Sequence, residues 1–214
     1  MVNRGLFIVL EGLDRSGKST QVSRLHDQLE QDGHKARIQK FPDRITAIGK
    51  MIDSYLRSEA ELDDRAVHLL FSANRWECCQ AIEQSLQDGV TVIADRYAFS
   101  GIAFSAAKGL PFDFCASPDI GLPLPDVTLY LTVSPAAAAK RAAYGTERYE
   151  QVDLQNRVRE QFKLVADKVR TMHGPDRWVE VDAEGSIDQV WERIWSQVKA
   201  IESKKGEQIH RLWT

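Results

Sequence analysis

Gly12-Leu13-Asp14-Arg15-Ser16-Gly17-Lys18-Ser19 has the spacing G-x-x-x-x-G-K-[ST]. Residues of these types at this spacing cradle the phosphates of a nucleotide. The glycines let main-chain N–H groups close on phosphate oxygens with no Cβ in the way. The helix that follows adds partial positive charge at its N-terminus. Lys18 reaches the β- and γ-phosphates, and Ser19 offers a hydroxyl to Mg²⁺. Arg15, Ser16, Gly17 and Thr20 complete the stretch expected to touch ATP. The motif says that a nucleoside triphosphate binds; it names neither the reaction nor the acceptor.

A second set of residues could bind that acceptor. Asp95-Arg96-Tyr97 follows an apolar run. A carboxylate there can hold Mg²⁺ through water or orient the acceptor, and the arginine beside it can fork onto a phosphoryl group. Phe41-Pro42-Asp43-Arg44 repeats the pairing of an aromatic with an arginine. Phe71 and Arg75 are four apart on one helix face, a ring for a base and a guanidinium for a monophosphate. Ser100, Gly101 and Phe104 follow Tyr97, with Ser100 and Phe104 one turn apart. Phe71 and Phe104 also suit core positions, and Arg75 alone suits a solvated helix. Convergence carries the reading. Arg44, Arg75 and Arg96 exceed what an uncharged acceptor needs, which favours a nucleotide kinase over a nucleoside kinase.

These residues need a frame that brings them to one place. Leu6 to Leu10 is a continuous apolar run, as in a strand buried on both faces. Val90–Ala94 and Val127–Leu131 read as further buried strands, Trp178–Val181 as the last, and Ala36–Phe41 as a less buried one. Helices intervene. One starts near Gly17, carries Val22, Leu25 and Leu29, and ends at Gly33. Asp63 or Asp64 caps a long one with Val67, Leu70 and Phe71. Ser134-Pro135 opens another, and Ser186 with Gln189 forms a capping box before Val190, Ile194, Val198 and Ile201. Alternating strands and helices predict an α/β fold, a central parallel sheet of about five strands with helices on both faces. Right-handed crossovers place the strand-to-helix loops, and so the ligands, on one edge.

The 214 residues fit a single domain. With 43% hydrophobic and 28% charged residues and a net charge of -3, the composition is that of a globular protein without a basic surface for nucleic acid. Cys78, Cys79 and Cys115 match no metal-ligand spacing, and an odd count argues against a disulfide framework. They are expected to be reduced thiols of a cytoplasmic or nuclear protein. No stretch is long and apolar enough to span a bilayer. The tail ending in Leu212-Trp213 is expected to dock on the domain.

Taken together, the chain resembles the thymidylate kinase family. The resemblance rests on Leu10 to Gln21, Phe41-Pro42-Asp43-Arg44, and His68-Leu69-Leu70-Phe71-Ser72-Ala73-Asn74-Arg75-Trp76-Glu77. Asp95-Arg96-Tyr97 with Ser100, Gly101 and Phe104, Pro118-Asp119-Ile120-Gly121-Leu122-Pro123, and Glu147-Arg148-Tyr149-Glu150 add to it. The resemblance implies a P-loop nucleoside monophosphate kinase-like domain that moves the γ-phosphate of ATP to dTMP, with Mg²⁺, for dTTP synthesis, in a homodimer. The long helix near Ala66 to Leu86, with the one near Phe99, is the expected apolar interface.

The roles it implies are specific. Phe71 stacks on thymine, Arg75 binds the base, and Asn74 and Gln155 lie nearby. Arg44 and Arg96 hold the dTMP phosphate, with Phe41 beside them. Phe104 crowds out a 2′-hydroxyl, Asp14 bonds the 3′-hydroxyl, and Tyr149 closes over the sugar or base. Residues 134–155 form a lid that sets Arg141 against adenine. Arg15 supplies the catalytic arginine from within the P-loop, although Arg141 and Arg148 stand in the lid. Lys18, Asp95 and Arg96 complete the catalytic set, and Ser19 and Asp95 hold the metal, Asp95 through water. Lys108-Gly109-Leu110-Pro111-Phe112 has no firm counterpart in the family pattern. A kinase for another nucleotide or a deoxynucleoside, and a P-loop module that binds nucleotide without transferring phosphate, are the competing readings. The first conflicts with Phe104 and the second with the full set of Arg15, Lys18, Ser19 and Asp95.

Overall fold

The computed structural model describes residues 4–134, 137, 148–149, 151–202 and 208–214. Five strands form one sheet: β1 (Phe7–Gly12), β2 (Ala36–Lys40), β3 (Thr91–Asp95), β4 (Val127–Thr132) and β5 (Trp178–Asp182). Every pairing is parallel, in the order β2-β3-β1-β4-β5. The chain leaves central β1 toward one edge and later crosses to the other. The loop after β1 therefore lies where the strand order reverses, the place where open α/β sheets bind ligands.

Between the strands run α1 (Lys18–Gln31), α2 (Ala47–Leu56), α3 (Asp64–Gln87), α4 (Ala98–Ala106), α5 (Phe112–Ala116), α6 (Val152–His173) and α7 (Ile187–Ala200). The pleat of β1 divides the core in two. Phe7 and Val9 face one apolar cluster with residues of α3, α4 and α6, while Leu6, Ile8 and Leu10 lie in another with α1 and α7. Each layer explains a periodicity in the sequence. Val22, Leu25 and Leu29 of α1 are buried, as are Val190, Ile194 and Val198 of α7. β2 is an edge strand and leaves Ile38 40% exposed, which is why its pattern is mixed.

The ends of the helices follow the capping signals. At the close of α1 the N–H of His34 bonds Leu29 O and that of Gly33 bonds Glu30 O, a Schellman ending. Asp63 accepts from the N–H groups of Arg65 and Ala66 at the start of α3, and Ser186 and Gln189 form the capping box of α7. Ser134 Oγ accepts the N–H of Ala137 at 3.2 Å, as an N-cap does. Most of the expected lid, including Arg141, Glu147 and Glu150, lies outside the described residues.

The tail docks. Leu212 is fully buried and its main chain pairs with Gly121 and Leu122, beside an antiparallel bridge between Pro123 and Arg211. One expectation is corrected: the helix containing Phe99 is not available for an interface. Phe99 is 0% exposed and meets Trp178 and Trp213 edge to face, because α4 is packed into the interior. No helix among the described residues is long and apolar enough to cross a membrane.

Candidate active site

A cleft of about 360 Å³ opens at the carboxyl ends of β1, β2 and β3. Residues 12–19 form one end. Gly12 sits at φ +147°, where a Cβ would lie 2.7 Å from Leu131 O and 2.8 Å from Ser16 Oγ, so the turn out of β1 admits only glycine. Arg15 follows with a left-handed φ of +66°. Such a conformation in a non-glycine residue costs of order 1–3 kcal/mol and persists where the surroundings hold it. It turns the Arg15 side chain into the wall of the cleft.

Lys18 is buried, and its ammonium donates to Gly12 O (3.1 Å), Leu13 O (2.7 Å) and Ser16 Oγ (3.3 Å). Burial, and then the charge of Arg96, lower its pKa to about 8, against the opposing pull of Asp14, Asp95 and Glu11. A phosphate oxygen beside this ammonium would favour the charged form and raise that value. Ser19 Oγ donates to Asp95 Oδ2 at 2.7 Å, joining the start of α1 to the end of β3. Ser19, Thr20 and Asp95 all line the cleft, as does Gly17. A hydroxyl and a carboxylate are hard oxygen donors. Mg²⁺ characteristically takes few protein ligands of that kind and keeps waters and phosphate oxygens for the rest. The pair therefore fits the ion.

The other end is built from β2, β3 and the helices after them. Arg96 has φ +69° and donates to Gly12 O (3.1 Å), to Ser100 Oγ (3.0 Å) and to Asp14. Burial opposes its charge, but Asp14, Glu11 and Asp95 outweigh that and raise its pKa. Behind it Glu11, fully buried, accepts from the N–H groups of Tyr97 and Ser100 at 3.0 Å each and from Ser100 Oγ at 2.5 Å. Burial raises the Glu11 pKa against the pull of Arg96 and these bonds. The buried carboxylate thus fastens the first turn of α4 to the end of β1.

Arg44 lines the cleft and bonds Asp53 at 2.6 Å. Arg75, 2% exposed, is held by Asp119 through Nε (3.1 Å) and Nη2 (2.7 Å). A Cβ on Gly101 would stand 2.9 Å from Arg75 Nη2, so a larger residue where α4 passes would have to push this guanidinium aside. Phe41, Phe71, Ser100, Phe104 and Tyr149 supply the rest of the wall, with Lys40, which the motifs did not mark. Tyr149 stacks on Phe104 with centroids 5.4 Å apart and planes at 24°.

Two expected contact residues stand behind the wall. Asn74 is buried and clamps the loop after β2, accepting the Asp43 N–H at 2.7 Å and donating to Glu77 at 2.6 Å. Gln155 donates to Asp14 Oδ2 (2.7 Å) and to Tyr149 O (3.0 Å). Both amides bond protein partners, which ties them to Asp43, Asp14 and Tyr149. Arg148 is turned away from the cleft as well, bonded to Glu61 at 2.6 Å and to Tyr55 O at 3.0 Å. Arg15 is the arginine of the P-loop that reaches the cleft.

Sequence reasoning passed over Glu11, Asp119 and Lys108 as site residues. Glu11 carried a usable signal, a carboxylate closing an apolar strand. Asp119 stood in a stretch that matches the family, but its partner Arg75 lies 44 positions away; Lys108 carried no signal, since its partners are distant in sequence. The cysteines play no part here: burial pushes Cys78 and Cys115 up to about 11 and Cys79 up to about 12, so all three are protonated at neutral pH.

The sequence matches the family model described as thymidylate kinase over residues 10–194. It is 52% identical over 192 residues to the thymidylate kinase of Schizosaccharomyces pombe, covering 90% of each chain. To that of Homo sapiens it is 46% identical over 213 residues, covering 98% of each. A solved structure of thymidylate kinase from Candida albicans aligns with a TM-score of 0.85 at 40% identity, over 99% of this chain and 100% of that one.

Proposed function

The chain belongs to the thymidylate kinase family, and from that premise we infer how its cleft moves the γ-phosphoryl group of ATP onto the phosphate of dTMP. One observation carries the reading. A single cleft holds a phosphate-binding loop at one end and Arg44, Arg75 and Arg96 with Phe71 and Phe104 at the other. That is a donor site facing a site for an aromatic acceptor that already bears a phosphate.

Two anions must meet in line, so the work is alignment and charge neutralisation. Lys18 and Arg15 would stabilise the charge on the transferring group from the P-loop side. Arg96, kept charged by Asp14, Glu11 and Asp95, would hold the acceptor phosphate together with Arg44. That phosphate is already ionised near neutral pH, so no strong general base is required. Asp95 is better suited to organising a metal's water than to removing a proton. Mg²⁺ held near Ser19 and Asp95 would neutralise the β- and γ-phosphate oxygens. Phe71 would stack on thymine and Arg75 would face the base. Asp14 would meet the 3′-hydroxyl, while Phe104 and Tyr149 would close the sugar side. A lid over residues 134–155, with Arg141 against adenine, would exclude water.

We also propose a homodimer. On α3 the exposed side chains of Leu69 (46%) and Trp76 (41%) share a face; α4 cannot contribute, being buried. The reduced, buried thiols suit the cytoplasm or nucleus. Sedimentation analysis of the wild-type chain and of Leu69→Glu tests the dimer, since a charge on that face should leave a folded monomer.

The reaction is tested by a coupled ADP-release assay with ATP, Mg²⁺ and each nucleoside monophosphate in turn, with thymidine as control. Strong turnover with dTMP, weaker with dUMP and none with thymidine is expected. A preference for UMP, AMP or thymidine would overturn the assignment of the acceptor end.

A further inference from the structure

Lys108, just beyond the end of α4, is only 15% exposed and makes three bonds from one ammonium. It donates to Asp64 Oδ1 at 2.7 Å, to Tyr55 Oη at 2.8 Å and to Tyr149 Oη at 2.9 Å. Its Nζ also lies 4.5 Å from the centroid of the Tyr149 ring and 5.2 Å from that of Tyr55. Three elements thus converge on it: the end of α2, the start of α3 and the segment that leads into α6. The Tyr149 ring in turn stacks on Phe104 and lines the cleft. Its main-chain oxygen is held by Gln155, whose amide also holds Asp14, the partner of Arg96.

Tyr149 is therefore fixed at both ends, by Gln155 at the carbonyl and by Lys108 at the hydroxyl. A tyrosine ring needs such anchoring to act as a wall, because a free ring samples several staggered rotamers. Three donors on one ammonium match three acceptors, and that count leaves no slack. Asp64 supplies the counter-charge to the ammonium.

We propose that Lys108 is a positioning residue for the acceptor pocket: it holds Tyr149 flat against Phe104 and so sets both the affinity for dTMP and the rejection of its 2′-hydroxy analogue. The proposal rests on the acceptor reading given above and adds to it a residue that touches no ligand. Loss of the bond lets the ring swing, which loosens the sugar side of the cleft. The ATP end, built on residues 12–19, is untouched.

The experiment uses the full chain and varies dTMP, ATP and ribothymidine 5′-monophosphate in the ADP-release assay. Lys108→Met, which keeps the stem and removes the donors, should raise the KM for dTMP about tenfold, the scale of one lost charge-assisted bond. The KM for ATP should stay within about twofold, and selectivity against the ribose analogue should fall by a similar factor to the rise in KM. Lys108→Arg should restore most of the loss. Tyr149→Phe removes a single oxygen and should reproduce most of the Lys108→Met effect, with the double variant no worse than the poorer single one. An unchanged KM for dTMP, additive effects in the double variant, or equal rises in both KM values with a lowered Tm would each overturn the proposal. Failure of the wild-type chain to turn over dTMP at all would instead overturn the acceptor reading, and this proposal with it.

Discussion

Replacing Asp119 by alanine removes the counter-charge of a buried arginine at the acceptor end of the cleft. The Asp119 carboxylate is 0% exposed and Arg75 is 2% exposed, joined by bonds of 3.1 and 2.7 Å, with Ser72 Oγ donating to the same carboxylate at 2.7 Å. Without Asp119 the guanidinium, 2% exposed in the wall of the cleft, loses its counter-charge where little water reaches it. Breaking a buried pair in this way costs about 3–5 kcal/mol, far more than the pair contributes relative to an apolar replacement. Domains of this size shift in Tm by about 2–4 °C per kcal/mol, so a fall of about 6–20 °C is expected. The assay is thermal unfolding followed by circular dichroism, paired with dTMP kinetics at a temperature where the variant is folded. A second variant separates stability from function. Asp119→Leu with Arg75→Met removes both charges and should recover most of the lost Tm, while the KM for dTMP stays raised more than about tenfold, the loss of one charged contact. A fall below about 2 °C for Asp119→Ala would refute the reasoning, since that is less than 1 kcal/mol. So would a double variant as unstable as the single one.

Other expectations follow from the same geometry. ATP binding should take up protons in alkaline solution, because Lys18 has a pKa of about 8 and a phosphate beside it would raise that value. Calorimetry in buffers of different ionisation enthalpy should report about half a proton per site at pH 8 and close to none at pH 6.5; no difference between the two would refute it. For stability the sign is the reverse of the usual paired lysine. The folded value lies below the unfolded value of about 10.4, so the unfolded state binds more protons in that window. The burial penalty on Lys18 is thus fully present below pH 8 and is relieved as pH rises toward 10.4. Arg15→Ala should lower turnover by about 10²–10³ with little change in the KM for dTMP, as expected for a donor that acts on developing charge. A loss confined to the KM for ATP would make Arg15 a binding residue. Phe104→Ala should raise turnover of ribothymidine monophosphate relative to dTMP, measured as the ratio of kcat/KM; an unchanged ratio would remove Phe104 from sugar selection.

The strands, the phosphate loop and the edge on which the ligands bind were all legible in the residues. Leu6 to Leu10 announced a strand buried on both faces, and the residues after it announced the turn that receives phosphate. Val22, Leu25 and Leu29, like Ser186 with Gln189, announced helices and their ends. These signals are local. Helical and strand periodicity, capping and φ preference depend on neighbours a few positions away, so one stretch of chain carries them whole. The handedness of the crossovers put the strand-to-helix loops on one edge, while the strand order β2-β3-β1-β4-β5 came from the tertiary structure. The tertiary structure alone decided which buried charges meet. Arg75 faces Asp119 across 44 positions, and Lys108 gathers Tyr55, Asp64 and Tyr149 from three directions. Asn74 bonds the Asp43 main chain and Gln155 bonds Asp14, partners that neither motif named. α4, apolar enough for an interface, proved to be interior. A polar side chain read alone shows what it can bond but not what lies within 3 Å of it. That second fact depends on how separate elements pack, because in a low-dielectric interior each charge must find a partner among whatever the fold brings near.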